Sequence, residues 1–366
     1  MSKRFLALSI AAACLVTLLA AAPASAKPRL ESTLEIENGW LGAQEDVVVH
    51  FSLANLGTSP AHVLSWQTPV AGVEANLFAV SLDGRPVPYL GRLVKRATPT
   101  AQDYLTIGPG ESISARVELS ALYDLTRAGE YAIQYRASLQ DGFGGPAVKA
   151  ISRPIAVESN AVSFYRAEDG LPLGPILAEL DAPLADGGAP QLGLRYLTPT
   201  YVGCSSTRQS SLVSALSQAQ TYAINAAAYL TAGTVGPRYT TWFGTYKSSR
   251  YSSVRSHFNS ISSTIQTKTI QFDCSTCTIN AYAYVYANQP YRIYLCSVFW
   301  SAPTQGTDSK AGTIIHELSH FNVVAATDDW AYGQTACKSL ATSNPGKAVD
   351  NADSHEYFAE NTPSQN

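Results

Sequence analysis

The sequence is poor in charged residues, in methionine and in long apolar runs. Charged residues make up 14% of its 366 residues, the net charge is −3, and Met occurs once. Nucleic acid is not expected as a partner, because binding to its phosphates needs a surplus of clustered Lys and Arg. After residue 22 no run is apolar enough to span a bilayer, so we expect no membrane association once the first segment is removed.

The first 26 residues have the pattern of a secretory signal peptide. Lys3 and Arg4 precede an apolar run over 5–22, and Ala24-Ser25-Ala26 is a small-residue cleavage signature. We therefore predict cleavage after Ala26 and a secreted, extracellular product. An uncleaved membrane anchor is the alternative, but the run is barely long enough to span a bilayer.

Cysteine is absent from residues 27–203, and this absence divides the chain. Charge changes at the same place: residues 27–199 contain 13 Lys+Arg and 19 Asp+Glu, whereas residues 200–366 contain 10 and 9. The length is sufficient for two domains. Composition therefore predicts two regions, 27–199 and 200–366.

Residues 27–199 have the pattern of an all-β region. Apolar and polar residues alternate over 46–53, 76–80, 112–119 and 130–138, with turn sequences rich in Gly, Asn and Pro between them. Short alternating strands at this spacing predict an immunoglobulin-like sandwich. Near its end, the Pro- and Gly-rich segment 184–199 is typical of a linker.

Residues 200–366 predict an α+β domain. Apolar residues recur every three or four positions in five segments, which should be helices: 210–232, 239–265, 309–321, 332–342 and 347–359. Three segments should be strands: 269–272, 281–287 and 292–300. Helices and strands are segregated along the chain, as in α+β folds.

Residues 312–321, GTIIHELSHF, have the spacing of a zinc site. On a helix, His316 and His320 project from one face one turn apart, where two imidazoles can share a tetrahedral Zn²⁺. Glu317 is placed to accept a proton from a water at the metal without being a ligand. A catalytic zinc needs a third protein ligand, and the spacing leaves both Asp328 and Asp329 open.

Two segments together resemble the aspzincins, the deuterolysin-like metalloendopeptidases, whose pattern is HExxH followed by GTxDxxYG. They are HELSH and TDDWAYG, residues 316–320 and 327–333. The resemblance implies one catalytic zinc ion, with Asp329 as the third ligand and Tyr332 as the residue that stabilises the transition state.

The resemblance leaves Asp328 at a variable position, where we interpret it as a solvated or helix-capping acid. Ala326 stands where the family has Gly, a departure that concerns the geometry of the loop. The metzincin pattern would have Gly at Val323 and His at Ala326, so that class is excluded.

The segments TYVGCSS at 200–206 and NADSHEYFAENT at 351–362 narrow the resemblance to the peptidyl-Lys metalloendopeptidase branch, which cuts on the amino side of lysine. The branch implies that Asp353 and Glu356 bind the substrate lysine. Three residues apart on a helix, two carboxylates share a face and can hold an ammonium. The alternative is a capping box, with Asp353 as N-cap and Glu356 reaching back.

The resemblance also implies the disulfide pairing. It favours Cys204 with Cys274 and Cys277 with Cys296, among the three connectivities that four cysteines allow. Cys337 is left over, and we interpret it as a buried free thiol.

The family-like region begins at Thr200, so residues 27–199 are interpreted as the pro-region of a proenzyme. This pro-region is a candidate inhibitor of the enzyme. It contains no Cys, which excludes a thiolate latch on zinc, and inhibition must be steric or use another ligand. Its lysines are Lys27, Lys95 and Lys149, and self-cleavage at Lys95 and Lys149 would dismantle it. We expect a monomer that acts on proteins or peptides.

Two other functions remain open. One is a deuterolysin-like endopeptidase of broad specificity. The other is a non-proteolytic surface-binding protein with a β-sandwich module and a vestigial zinc site. The presence of Glu317 argues against the second, because a purely structural zinc would not need a proton acceptor.

Overall fold

A computed structural model of the protein describes residues 29–97, 99–139, 154–167 and 197–365. The predicted signal peptide and residues 184–196 of the predicted linker lie outside the described residues. The described chain has a β-rich N-terminal region and an α+β C-terminal region. Within it, no helix combines the length and apolarity that crossing a membrane requires.

The N-terminal region is built from short strands. In chain order they are β1 (Leu30–Ile36), β2 (Trp40–Leu41), β3 (Val48–Asn55), β4 (Ala61–Leu64), β5 (Phe78–Leu82), β6 (Arg85–Pro86), β7 (Arg92–Arg96), β8 (Tyr104–Ile107), β9 (Ser112–Glu118), β10 (Gly129–Leu139), β11 (Ile155–Glu158) and β12 (Val162–Arg166). Three short 3-10 helices lie between them at Ser65–Gln67, Pro69–Ala71 and Ala101–Asp103. The four predicted strands correspond to β3, β5, β9 and β10, within about two residues at their ends.

Two sheets of this region enclose a common core. β1, β3 and β9 form one sheet, and β2-β12-β10-β5-β6 form the other, in that order, with β11 also paired to β10. β4 and β8 form a separate pair. Alternate side chains of the two sheets point inward, where Phe51, Phe78 and Tyr135 are almost fully buried. The immunoglobulin-like form of this arrangement stays a prediction.

The C-terminal region contains helices and a second set of strands. The helices are α1 (Ser206–Thr231), α2 (Pro237–Phe243), α3 (Ser248–Thr267), α4 (Ser297–Ser301), α5 (Lys310–His320), α6 (Gly333–Ser343), α7 (Pro345–Val349) and α8 (Ala352–Glu360). The strands are β13 (Thr200–Val202), β14 (Gln271–Asp273), β15 (Ala281–Tyr286) and β16 (Arg292–Leu295).

Three predicted elements of this region are wrong in part. The helix over 239–265 is interrupted at Gly244, which has φ 76° and passes so close to α6 that a Cβ would lie 2.2 Å from the Ala341 carbonyl oxygen. The strand over 292–300 stops at Leu295, because Phe299 enters the core from the helix α4 instead. The helix over 347–359 is interrupted before Asn351, whose side chain bonds to the backbone of another loop.

One sheet joins the two regions. Its strand order is β13-β14-β16-β15-β7, so the edge strand β7 comes from the N-terminal region. β13, β14 and β16 are parallel, whereas β15 runs antiparallel to both β16 and β7. The helix α5 packs against β15, β7, α1 and α8. The edge of this sheet therefore places N-terminal residues beside the helix that carries the HELSH motif.

Two disulfides tie this region together. Cys204 is bonded to Cys274 and Cys277 to Cys296, which is the pairing that the resemblance implies. Cys337 is a buried free thiol, as expected. The first disulfide links the segment after β13 to the end of β14, and the second links the segment before β15 to the end of β16. The strands that flank the site are therefore held covalently.

Candidate active site

Helix α5 is buried along its whole length and brings the motif to the centre of the C-terminal region. The Ser309 hydroxyl caps it by accepting a hydrogen bond of 2.9 Å from the Gly312 backbone N–H. A Cβ at Gly312 would lie 2.1 Å from Glu360 Oε1 of α8, so glycine allows the two helices to approach closely. His316, Glu317 and His320 are each 0% exposed.

The predicted metal ligands come together. The Nε2 atoms of His316 and His320 are 3.1 Å apart, and Asp329 Oδ1 and Oδ2 lie 3.3 and 3.5 Å from them, respectively. Donor atoms bound at about 2.0–2.1 Å to one tetrahedral zinc lie about 3.3 Å apart. Both oxygens of Asp329 are buried without a hydrogen-bond partner among the described residues. The donor set therefore fits a zinc ion, and Asp328 is not part of it.

The second ring nitrogen of each histidine is also fixed. His320 Nδ1 lies 2.8 Å from the Thr327 carbonyl oxygen, and His316 Nδ1 lies 2.8 Å from Asp353 Oδ1. Such contacts set the tautomer and orientation of a metal-bound imidazole. Burial lowers the pKa of His320 to about 4, which favours its neutral form. For His316 burial also acts to lower the pKa, but the nearby carboxylates outweigh it and raise the pKa well above its usual value, so a bound metal would displace a proton from this ring.

Glu317 and Tyr332 are buried polar groups with nothing else to bind. Both carboxylate oxygens of Glu317 and the hydroxyl of Tyr332 lack a hydrogen-bond partner among the described residues. Burial raises the pKa of Glu317 to about 8. Tyr332 and Asp329 line the same small cavity, and the ring of Tyr332 packs on Leu64 and Trp66 of the N-terminal region. These groups are available to a substrate rather than committed to the fold.

The loop that carries Asp329 is held from both regions. Asn351 Oδ1 accepts hydrogen bonds of 2.8 Å from the backbone N–H groups of Trp330 and Ala331. Asp328 accepts one bond of 2.9 Å from the Asp329 N–H and another of 2.8 Å from the Asn76 side chain. The interpretation of Asp328 as a solvated or helix-capping acid is therefore wrong, since its half-buried carboxylate bonds to Asn76 and to the backbone of the loop.

Asp353 and Glu356 lie side by side on α8 and face the metal ligands. The N-cap of α8 is Asn351, so the capping box with Asp353 as N-cap is wrong. Asp353 Oδ2 accepts a hydrogen bond of 2.7 Å from the Gly333 N–H, while Glu356 Oε2 lies 3.5 Å from His316 Nδ1. The two acids therefore form the wall of a pocket that is adjacent to the zinc ligands.

Lys95, on strand β7 of the N-terminal region, fills this pocket. Its Nζ lies 2.6 Å from Glu356 Oε2 and 3.5 Å from Asp353 Oδ1, and the residue is only 1% exposed. Burial alone would lower the pKa of Lys95, but the nearby carboxylates outweigh it and raise the pKa well above its usual value. The ammonium is therefore charged in the pocket.

Strand β7 reaches the pocket by pairing with the edge of the C-terminal sheet. Lys95 is opposite Ala283 and Val94 is opposite Tyr284 in an antiparallel register. Glu74 holds the strand on both sides of Lys95, with its two oxygens 2.7 Å from Arg92 and 2.6 Å from Arg96. The backbone of β7 is thus fixed across the site as an added strand.

Two residues near the Lys95 ammonium were not singled out from the sequence. Asp308 Oδ1 lies 4.0 Å from Nζ, and the ring centroid of Tyr282 lies 4.9 Å from it. Asp308 belongs to the acidic segment 308–366, and Tyr282 to the alternating tyrosines of β15, but neither pattern marks one residue as part of a site.

Comparisons with known proteins identify a family. The family model of the lysine-specific metallo-endopeptidases, the aspzincins, matches residues 228–360. An extracellular protease of Aeromonas hydrophila is 43% identical over 328 residues, 89% of this chain and 91% of that protein. The peptidyl-Lys metalloendopeptidase of Grifola frondosa is 39% identical over 287 residues, 78% of this chain and 77% of that protein. The peptidyl-Lys metalloendopeptidase of Pleurotus ostreatus is 56% identical over 166 residues, 45% of this chain and 98% of that protein.

The fold, the donor set and these relatives define a zinc-dependent metalloendopeptidase, an enzyme that hydrolyses bonds within peptide chains. The chain belongs to the aspzincin family. Lysine specificity is a property of its relatives, and zinc is the cofactor on which the family depends.

Proposed function

We propose that the protein is a secreted proenzyme of an endopeptidase that cuts on the amino side of lysine. Residues 1–26 are its signal peptide, 27–199 an immunoglobulin-like pro-region ending in a linker over 184–199, and 200–366 the protease domain. The Pleurotus relative matches over 166 residues, which is close to the 167 residues that follow Pro199 and supports this boundary. We further propose that it acts as a monomer.

Lys95 in the acidic pocket is the observation that carries the proposal. A lysine side chain is held by the two carboxylates of Asp353 and Glu356, next to the predicted zinc ligands. A buried carboxylate pair without a cation would be costly, so the pocket selects a positively charged side chain. A substrate lysine that took the place of Lys95 would bring the bond on its amino side toward His316, His320 and Asp329.

The remaining site residues have distinct roles in the proposal. His316, His320 and Asp329 hold one zinc ion, which when bound supplies a Lewis acid and lowers the pKa of water to about 7. Glu317 accepts the proton of the attacking water and passes it to the leaving amine. The Tyr332 hydroxyl donates a hydrogen bond to the carbonyl oxygen as that oxygen gains negative charge.

The same observation supports inhibition by the pro-region. Strand β7 occupies the sheet edge and Lys95 the pocket, so a substrate cannot enter while β7 remains paired. Because Arg92 and Arg96 are held by Glu74 on both sides of the Val94–Lys95 bond, a cut there would leave both ends in place. The enzyme would then remain inhibited after the Val94–Lys95 bond is cut, and would become active when the pro-region is degraded.

Digestion of a peptide mixture by the active enzyme tests the specificity. New N-termini identified by mass spectrometry should begin with lysine. Mixed N-termini would instead support the alternative of a broad-specificity deuterolysin-like endopeptidase. No cleavage by a zinc-loaded protein would support the surface-binding alternative with a vestigial zinc site.

Expression of the full chain and its Glu317→Gln variant tests the proenzyme. In a host that lacks other secreted proteases, the parent should be cut before Lys95 and Lys149 and leave a C-terminal product of about 23 kDa, whereas the variant should stay at about 36 kDa, if each region is a compact unit. Trimming to Thr200, which gives about 18 kDa, would need another protease or relaxed specificity. Equal maturation of the two would oppose self-processing. A fully active parent that keeps the pro-region would oppose latency.

A further inference from the structure

The lysine pocket has more walls than the two carboxylates of α8. Besides α8, two other parts of the fold lie close to Nζ of Lys95: Asp308 just before α5, and Tyr282 of β15. Lysine side chains are commonly held by one or two partners, whereas this ammonium is enclosed and 1% exposed at the residue level.

A β-bulge aims Tyr282 at the pocket. Ala281 is opposite Arg96 and Ala283 is opposite Lys95, so two steps on β15 correspond to one step on β7 and Tyr282 is the extra residue. A bulge changes the face to which a side chain points. In a regular strand Tyr282 would point away from Ala283 and Lys95, but here its ring lies 4.9 Å from the ammonium.

The backbone of Tyr282 is fixed independently of Lys95. Its carbonyl oxygen accepts a hydrogen bond of 2.9 Å from the Cys296 N–H, and Cys296 is bonded to Cys277. An aromatic face attracts a cation within about 6 Å of its centroid through the quadrupole of the ring. The ring is thus a preformed wall for a cation.

Asp308 is also held in place beside the ammonium of Lys95. It has φ 52°, in the left-handed region, and its N–H donates a hydrogen bond of 3.2 Å to Glu360. Oδ1 accepts a hydrogen bond of 2.6 Å from the Tyr357 hydroxyl and lies 4.0 Å from Lys95 Nζ. This partly exposed carboxylate adds negative charge at the solvent side of the pocket.

We propose that Tyr282 and Asp308 are specificity-determining residues of the lysine pocket, acting on the ammonium in addition to the α8 carboxylates. The inference rests on the proposed function, because it concerns the same lysine site. The inference goes beyond the proposed function because it assigns part of the selectivity for lysine to the aromatic ring of Tyr282 and to a third acid, Asp308. Neither residue belongs to the HELSH, TDDWAYG or NADSHEYFAENT segments.

Kinetics on two matched peptides test the proposal. One peptide has lysine after the scissile bond, and the other has norleucine, which has a similar chain without the ammonium. Tyr282→Leu should lower kcat/KM for the lysine peptide about 3- to 30-fold, mainly through KM, and leave the norleucine peptide within about twofold. Asp308→Asn should have the same selective effect at about two- to fivefold.

Two further variants give the comparison its controls. Tyr282→Phe keeps the ring face and should retain the preference for lysine. Tyr286→Leu, on the same strand, removes a ring that packs on Tyr284 and Tyr294 and should leave the lysine-to-norleucine ratio unchanged. An equal fall for both peptides in Tyr282→Leu, or no fall, would overturn the role of Tyr282. A parent enzyme that does not distinguish the peptides would overturn the proposed function itself.

A measurement on the uncut chain does not depend on turnover. In the full chain with Glu317→Gln, the acetylation rate of Lys95 by an amine reagent can be followed by mass spectrometry. Tyr282→Leu and Asp308→Asn should each raise this rate severalfold, and Tyr286→Leu should not. Unchanged rates in the first two variants would overturn the proposal.

Discussion

Acidic residues lie in opposite environments in the two regions of the molecule. In the described part of the N-terminal region no Asp or Glu is buried, and only Glu74 and Asp103 are even partly covered. From Thr200 onward, none of the nine acids is fully exposed. The first region uses acids to cover a surface, whereas the second uses them to build a site.

Burying the acids of the C-terminal region costs free energy, and groups from both regions compensate for it. An uncompensated buried carboxylate costs several kcal/mol, so the acids around α5 need cations or hydrogen-bond donors. Part of the compensation comes from within, as with Arg292 at 2.7 Å from Asp273. The rest comes from the N-terminal region, which supplies Lys95 to the pocket and Asn76 to Asp328. The C-terminal site is therefore completed by side chains of the N-terminal region.

The largest expected effect is on the metal. Asp329→Ala should weaken zinc binding more than about 100-fold, since changes beyond the ligands themselves already cost about 10- to 100-fold. Asp328→Asn, a change of nearly the same shape at the neighbouring residue, should keep the metal. Zinc content after dialysis measures both. Metal lost from Asp328→Asn and kept by Asp329→Ala would reverse the ligand assignment.

The next effect compares a buried ion pair with an exposed one. In the uncut Glu317→Gln chain, Lys95→Met should lower the free energy of unfolding by about 3–5 kcal/mol, because it leaves Asp353 and Glu356 without their cation. Arg116→Ala removes a contact of 2.7 Å to Glu37 on the exposed sheet and should change stability far less. Denaturant unfolding measures both. Similar losses would mean that the pocket acids do not depend on Lys95.

A buried histidine pair predicts how stability changes with pH. His257 Nδ1 lies 3.0 Å from His355 Nε2, and burial lowers the pKa of His257 to about 4 and that of His355 to about 3. The unfolded chain takes up these protons near pH 6.5 and the folded chain does not, so stability should fall as the pH drops from 6.5 toward 4.

Replacing one histidine should flatten that dependence. His257→Asn keeps a donor for His355 and removes one proton from the linkage, which should reduce the slope by up to about 1.4 kcal/mol per pH unit. At pH 7.5 the variant and the parent should unfold at similar denaturant concentrations. A variant whose stability falls as steeply as the parent's would assign the acid sensitivity to other groups.

The smallest effect concerns the loop before Asp329. Ala326 has φ 51°, a conformation that costs an L-residue about 1 kcal/mol or more. Ala326→Gly should therefore stabilise the protein by up to about 1 kcal/mol, whereas Ala325→Gly, beside it, should destabilise it by about 0.5–1 kcal/mol. Thermal unfolding of the two variants should show shifts of opposite sign. Two downward shifts would mean that the loop does not store this strain.

Local patterns predicted the parts of the site that depend on local structure. The spacing of His316 and His320 requires only one helix, and the alternation in β3, β9 and β10 requires only one buried face. The choice of Asp329 and the disulfide pairing came instead from the resemblance to a family, because spacing left the alternatives open.

The remaining features depend on contacts between distant segments. Strand β7 has the sequence RLVKR, which is short and mostly charged, and nothing in it indicates pairing with β15, almost 190 residues later. Lys95 was identified as a site of self-cleavage but not as the occupant of the pocket. The helix interruptions at Gly244 and Asn351 likewise result from packing against other elements. The spacing of apolar residues within a segment carries no information about such contacts.

The shared sheet also has a consequence for any form of the protein that lacks the N-terminal region. Removal of β7 would leave β15 as an edge strand with unpaired backbone groups, and exposed edges promote association with other chains. If substrates bind by pairing with this edge, as β7 does, the edge must stay uncovered in the active form. At high concentration such molecules should associate with one another through β15. A lysine-containing peptide that pairs with β15 should reduce this association.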